Sequence, residues 1–237
     1  MRTTGSFAIT RWTLVVQARG GDTAARSALS ELCSAYYAPV VTFLRADGRE
    51  EDAAREMAHA FFAGVLEGRS LGGADPGRGR FRSYLLGAVK HFLADQRDRA
   101  AAEKRGGRVE AVALDGGTPS APGLDLPAPA ADDRAFDRQW ALTVIERALR
   151  AVGEELADAG KREQFDVLKP WLIGGTETTP QVEAGVRLGM SEAAVKVAIH
   201  RLRQRFREVV KKEIADTVPA ESDIDDELRY LITVLSR

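Results

Sequence analysis

Cysteine is almost missing from this 237-residue chain: Cys33 stands alone. A single thiol makes an intrachain disulfide impossible and fits a reducing compartment. Histidine is nearly as scarce. His59, His91 and His200 lie in separate segments, none beside a cysteine or histidine at metal-ligand spacing. There is no Walker motif and no GxSxG elbow; the glycines of residues 72–79 are not followed by the Lys-Ser or Lys-Thr pair that meets phosphate and magnesium. The acidic clusters at 50–52 and 225–227 read as helix starts rather than as paired catalytic carboxylates. No catalytic residue, metal or cofactor is therefore expected. A charged-then-apolar leader is missing, and so is any apolar run long enough to span a bilayer, so the expectation is a cytoplasmic protein with no membrane partner.

What is there is ordinary in bulk and segregated in detail. With 44% hydrophobic and 29% charged residues, the chain suits a folded protein of one large or two small domains. Its net charge of −1 hides basic clusters at 78–105 and 187–212 and an acidic tail with Asp216, Glu221, Asp223, Asp225, Asp226 and Glu227. Phosphates respond to such local patches rather than to the total.

Apolar spacing in the first half is helical. A helix is predicted from Thr10 with Trp12, Val15 and Val16 inward, ended by Gly20 and Gly21. An Asp22-capped helix follows, carrying Ala25, Ala28, Leu29, Leu32, Tyr36, Val40, Phe43 and Leu44, with a kink expected at Pro39. Over 50–67 the predicted buried stripe is Ala53, Met57, Ala60, Phe61 and Val65, with Asp52, Glu56 and His59 outside. Phe62 beside them either belongs to a partner surface or packs under the next loop. From Phe81 the stripe is Phe81, Leu85, Ala88 and Phe92. Arg80, Arg82, Lys90, His91, Gln96, Arg97, Arg99, Lys104 and Arg105 make the rest basic. Cations beside Phe81 and Tyr84 suit single-stranded nucleic acid, where charge holds the backbone and rings stack on bases; a solvated charged helix is the alternative.

Residues 106–131 change character. Pro119, Pro122, Pro127 and Pro129 sit among glycine and alanine, no amphipathic period survives, and the segment reads as a linker. A flexible chain of about 26 residues spans roughly 28 Å r.m.s. and at most about 90 Å. Two DNA elements about two helical turns apart lie roughly 70 Å from one another, within reach only of an extended tether.

Beyond it, Phe136, Trp140, Val144, Ala148 and Val152 mark a long helix, and Phe165, Leu168 and Leu172 a shorter one, with Gly174 and Gly175 after it. Thr179 and Pro180 open a short helix that stops at Gly189, and Ser191 caps the next. In that last helix Val195, Ile199, Leu202, Phe206 and Val210 form an oily seam. Lys196, His200, Arg203 and Arg207 share a neighbouring face, and Arg201 and Arg205 the opposite flank. A short helix, a tight glycine turn and a Ser-capped basic helix are the parts of a helix-turn-helix. Its second helix would bring Glu192, Ala194, Val195, Lys196, Ile199, His200 and Arg203 nearest base edges. Val195 and Ile199 turn inward, which leaves Lys196, His200 and Arg203 as readers; Ser191, Arg201 and Arg207 complete the DNA-facing set. A solvated basic helix is again the alternative. In the tail, Ile224, Leu228, Leu231 and Leu235 keep helical spacing. The tail either caps the second domain or covers a basic surface and restrains DNA binding.

The string LGMSEAAVKVAIHRLRQRFRE resembles the helix-turn-helix of extracytoplasmic-function (ECF) sigma factors, whose usual pattern is LGxSxxAVKxxxHRxR. ITRWTLVVQARGGD, REMAHAFFAGVLEGRSL and GRFRSYLLGAVKHFLADQRDRAAAEKRGG are similar to the N-terminal region of the same family. The resemblance covers most of the chain apart from linker and tail; its motifs are specific in combination and weak singly. It implies an all-α protein of two helical domains joined by a flexible linker, the C-terminal one carrying the helix-turn-helix. The expected segments are 1–107, a linker 108–132, 133–218 and a tail 219–237. It also implies that core RNA polymerase meets Asp52, Glu56, His59 and Phe62, and that promoter DNA meets Lys90, His91, Asp95, Gln96, Arg97 and Arg99, with Arg82 in the same basic run, at the minus-ten element. The basic C-terminal helix would read the minus-thirty-five element. An anti-sigma protein is a further partner such a family admits. The chain departs from the pattern at Ala184 and Gly185, where a larger aliphatic residue and then alanine are usual. A helix-interior glycine costs about 1 kcal/mol relative to alanine, so either a looser turn or support from the tail is expected. The rival expectations are a stand-alone helix-turn-helix regulator, which would dimerise, and a helical scaffold or RNA-binding adaptor.

Overall fold

A computed structural model describes residues 23–67, 80–104, 131–172, 180–218 and 221–236. Every regular element among them is helical. The α-helices are α1 (Thr23–Ala46), α2 (Glu51–Leu66), α3 (Phe81–Lys104), α4 (Ala131–Asp158), α5 (Arg162–Leu168), α6 (Gln181–Leu188), α7 (Glu192–Ala215) and α8 (Ile224–Leu235). Single 3-10 turns at Lys169–Trp171 and Glu221–Asp223 follow α5 and precede α8. Among the described residues there is no strand, and no helix is long and apolar enough to cross a membrane. The helix expected from Thr10, the Asp22 cap, the glycine loop at 72–79, Arg105, the 106–131 linker, Gly174, Gly175 and Thr179 lie outside the described residues, as do the side chains of Ala25, Ala28, Leu32 and Lys104.

The helices divide into two units. The first is Met1–Thr143 with Ala215–Arg237, and the second is Val144–Ile214. The divisions thus fall inside α4 and at the last turn of α7, whereas the expected segments divide at 132/133 and 218/219. The tail helix α8 belongs to the first unit, which is at odds with its capping the second domain, one of the two roles expected of it.

In the first unit, aromatic rings fill the space between α1, α2, α3 and the start of α4. Tyr36 meets Phe81 edge-on at 5.1 Å between centroids and stacks with Phe136 at 6.4 Å, and Phe43 meets Phe136 at 6.4 Å. Pro39 is buried inside α1, which runs unbroken through it. The stripe of α2 is turned from the expected one. Ala54, Ala58, Phe61, Phe62 and Val65 are buried, while Ala53 and Ala60 face solvent. The weight of the side chains explains the rotation. It puts both Phe61 and Phe62 inside, and each buried phenyl stabilises by about 1.5–3 kcal/mol, more than Ala53 and Ala60 together offer. Phe62 lies against Phe61 at 5.1 Å and Tyr37 at 6.2 Å, so it is a core ring rather than an exposed one. On α3 the buried line is Phe81, Leu85, Val89 and Leu93, with Ala88 and Phe92 at its edge and Arg82 drawn in beside it.

In the second unit the spacing reads true. Val144, Ala148 and Val152 of α4 are buried, as Phe136 and Trp140 are on the part of α4 in the first unit. Phe165 and Leu168 of α5 are buried, and Leu172 is half-exposed. Along α7, Val195, Ile199, Leu202 and Val210 are buried with Phe206 at the edge, and Val209 and Ile214 extend the seam.

Candidate nucleic-acid interface

The junction between α6 and α7 is built by its backbone. Pro180 occupies the N-cap of α6, and Gly189 ends the helix in the left-handed region at φ 63°, ψ 31°. The amide of Met190 then donates to Gly185 O at 2.8 Å and that of Gly189 to Val186 O at 3.4 Å, the paired closure of a Schellman turn. Gly185 is there because nothing larger fits: a Cβ would stand 2.6 Å from the Met190 carbonyl oxygen and 3.6 Å from Val195 Cγ2. The departure from the family pattern therefore makes a tight turn, not the looser one expected. Ser191 starts α7, its hydroxyl accepting from the Ala194 amide at 3.2 Å. That cap satisfies one of the orphan amides of the first turn.

The basic skin of α7 divides by what each side chain already holds. His200, Arg201 and Arg207 are exposed and have no ion-pair or side-chain hydrogen-bond partner among the described residues. Lys196 lies 2.7 Å from Glu192, an exposed pair four residues apart. Such pairs are worth about 0.3–0.5 kcal/mol and yield readily to a phosphate. Arg203 is different. Its Nε and Nη2 donate to the Trp171 carbonyl at 3.1 and 3.0 Å, so its guanidinium braces α7 against the chain leaving α5. Arg203, though exposed, thus serves as a strut in this arrangement. Arg205 bonds Glu155 and Glu208, and those bonds, the Glu155 one foremost, push its pKa up. Ala194 is half-buried.

In the first unit the expected residues fare unevenly. Asp52, Glu56 and His59 share the exposed face of α2, where His59 Nε2 bonds the Tyr37 hydroxyl at 2.9 Å and the two rings stack at 5.2 Å. Phe62 cannot join them at the surface, being buried. On α3, Lys90 lies 2.6 Å from Asp133, and Arg97 Nη2 donates to both oxygens of Asp47 at 2.7 and 2.8 Å. Gln96 is half-buried, and His91, Asp95 and Arg99 are exposed with no partner among the described residues.

Arg82 is not available to DNA. It is buried, with Nη1 on Asp137 and Nε 3.0 Å from Glu227 Oε1, while its guanidinium carbon lies 5.0 Å from the Trp140 ring centroid and 4.4 Å from that of Tyr230. Arg80 reaches the other oxygen of Glu227 at 2.8 Å, and the Tyr230 hydroxyl donates to Asp137. Burial alone would pull the Arg82 pKa down, but Glu227 and Asp137 outweigh it and hold the guanidinium charged. The same enclosure, followed by the bond to Asp137, pushes Tyr230 up to about 12. This network is what fastens the tail to the first unit. Its signal lay in the spacing: Glu227 falls three residues after Ile224 and four before Leu231, on the apolar stripe itself. A carboxylate on such a stripe needs a buried cation opposite it.

Among the described residues no group of three or more His, Cys, Asp or Glu is placed to hold a metal ion. No protein-family model, curated protein or solved structure matches the chain.

Proposed function

We propose that this chain directs RNA polymerase to particular promoters, as a sigma factor of the extracytoplasmic-function kind, with core polymerase and promoter DNA as partners. The observation that carries the reading is α7: a Ser191-capped helix, set by the Gly189 turn, whose exposed His200, Arg201 and Arg207 have no described partner and whose Lys196 is only loosely paired. Unpaired cations on an exposed helix suit phosphates, and Lys196 and His200 are the side chains left for base edges in the major groove. Exposed Asp52 and Glu56, with His59 beside them, supply the face that the resemblance assigns to polymerase, and His91 and Arg99 the free basic groups of α3.

The test is run-off transcription with purified core polymerase, the full chain and a promoter library. Transcripts that start at defined promoters only when the chain is present are the expected result. Tight duplex binding with no capture of core polymerase and no transcripts would replace this reading with a second one, a stand-alone helix-turn-helix regulator. That second reading draws on the burial of Arg82 and Phe62, which removes two expected contacts from the first unit and leaves those of α7 intact.

A further inference from the structure

The geometry points to a binding site for an amphipathic anion, a small molecule with an apolar body and one carboxylate or phosphate head, in the second unit. A cavity of about 670 Å³ opens there between the end of α4, α5 and the outer flank of α7. That volume is within the range of about 300–1,000 Å³ typical of small-ligand sites. Leu156, Leu168, Met190, Val197, Ala198 and Leu202 furnish its walls. Val197, 50% exposed, is continuous with Leu156, Met190 and Ala198 in this lining, so its apolar surface belongs to the groove and is not a lone exposed side chain. Water in such a groove is easily displaced by an apolar body.

Charge decides what kind of body. Lys161, Arg201 and Arg205 line the cavity against a single carboxylate, Glu155, which Arg205 already engages. Lys161 and Arg201 are exposed and have no partner among the described residues. Two uncommitted cations at the mouth of an apolar groove complement an anionic head whose tail lies inside. The fork of Arg201 suits a planar carboxylate or a phosphate, and Lys161 adds a point charge. Ala193 also lines the groove, beside Glu192. Occupancy would therefore alter duplex binding by α7; that consequence alone rests on the promoter reading, and the site itself does not.

Titration of the full chain with dodecanoate, followed calorimetrically without DNA and below the micellar concentration, tests the site. Saturable binding with one site per chain and Kd below about 1 mM is expected, together with much weaker binding of dodecanol. Lys161→Glu combined with Arg201→Glu, both on exposed residues and checked for folding by circular dichroism, should weaken dodecanoate roughly five-fold or more and leave dodecanol unchanged. Val197→Asp should abolish both. Equal binding of acid and alcohol, or dodecanoate binding indifferent to the charge reversal, overturns the proposal. So does binding to phosphatidylglycerol vesicles without binding of the monomeric acid, which would make the patch a lipid-surface contact. Self-association of the free chain that Val197→Asp removes would assign the groove to a second copy and overturn it as well. If DNA binding fails while dodecanoate binds as described, the promoter reading falls and the ligand site stands.

Discussion

Arg82 and Glu227 stand 145 positions apart in the chain and 3.0 Å apart in the fold, Nε to Oε1, both almost wholly removed from water. Desolvating them together with Asp137 is tolerable only because each charge meets its opposite and two aromatic faces close over the guanidinium. Removing Arg82 leaves buried Asp137 with only the Tyr230 hydroxyl and buried Glu227 with only the half-exposed Arg80.

Arg82→Ala should therefore lower the unfolding free energy by about 3–5 kcal/mol. Combining Arg82→Met with Asp137→Asn and Glu227→Gln should recover most of that loss, since no charge then remains buried. Urea denaturation of the three proteins decides it; a single variant within about 1 kcal/mol of the parent would mean that the network is ornamental.

On α7 the arginines should separate. Arg201→Ala or Arg207→Ala should weaken duplex binding on every sequence alike and reduce the salt-dependence slope by about one. Arg203→Ala should instead cost about 0.5–1.5 kcal/mol of stability through the Trp171 carbonyl, with sequence preference unchanged. Fluorescence anisotropy at several salt concentrations, paired with thermal melts, distinguishes the two behaviours, and a changed base preference in the Arg203 variant would restore it as a reader.

Gly185→Ala ought to stabilise an ordinary helix by up to about 1 kcal/mol. Here the added Cβ meets a backbone oxygen at 2.6 Å, and a carbonyl held in a closed turn has nowhere to go. A net destabilisation of about 1–3 kcal/mol is expected. A higher melting temperature for the variant would show that the turn gives way.

Alkaline conditions should loosen the first unit. Burial pushes the Cys33 thiol from 9.0 up to about 12, and Tyr230 is raised from 10.0 to about 12. Both groups stay protonated in the fold after the unfolded chain has begun to ionise. Their contribution is therefore whole below pH 9.0 and is lost as the pH climbs toward about 12. Cys33→Ala should flatten the fall of the urea midpoint across that window, and an unchanged slope would remove the thiol from the account.

The helices and most of their inward faces were legible from apolar spacing: Val144, Ala148 and Val152, or Val195, Ile199 and Leu202, fall where a period of 3.6 places them. The turn at Gly189 and the Ser191 cap were legible too, because both are local chemistry. Spacing misjudged α2, where Ala53 and Ala54 are interchangeable by hydropathy and only the demand to bury two phenyl rings fixes the rotation. It also took Arg82 for a surface cation, and it did not see that Arg203, exposed as expected, bonds a backbone carbonyl. Their partners, Glu227 and the Trp171 carbonyl, lie far along the chain, and a pattern read over a few turns cannot see them.

Phe136 carries a practical consequence. The proline-bearing segment just before it invites a cut at 132/133 to express the second half alone. Such a fragment would take Phe136 into solution stripped of Tyr36 and Phe43, the rings that cover it. A naked aromatic surface on a free helical arm favours clumping over solubility. A well-behaved fragment would have to begin close to Val144, where the chain's own contacts change allegiance.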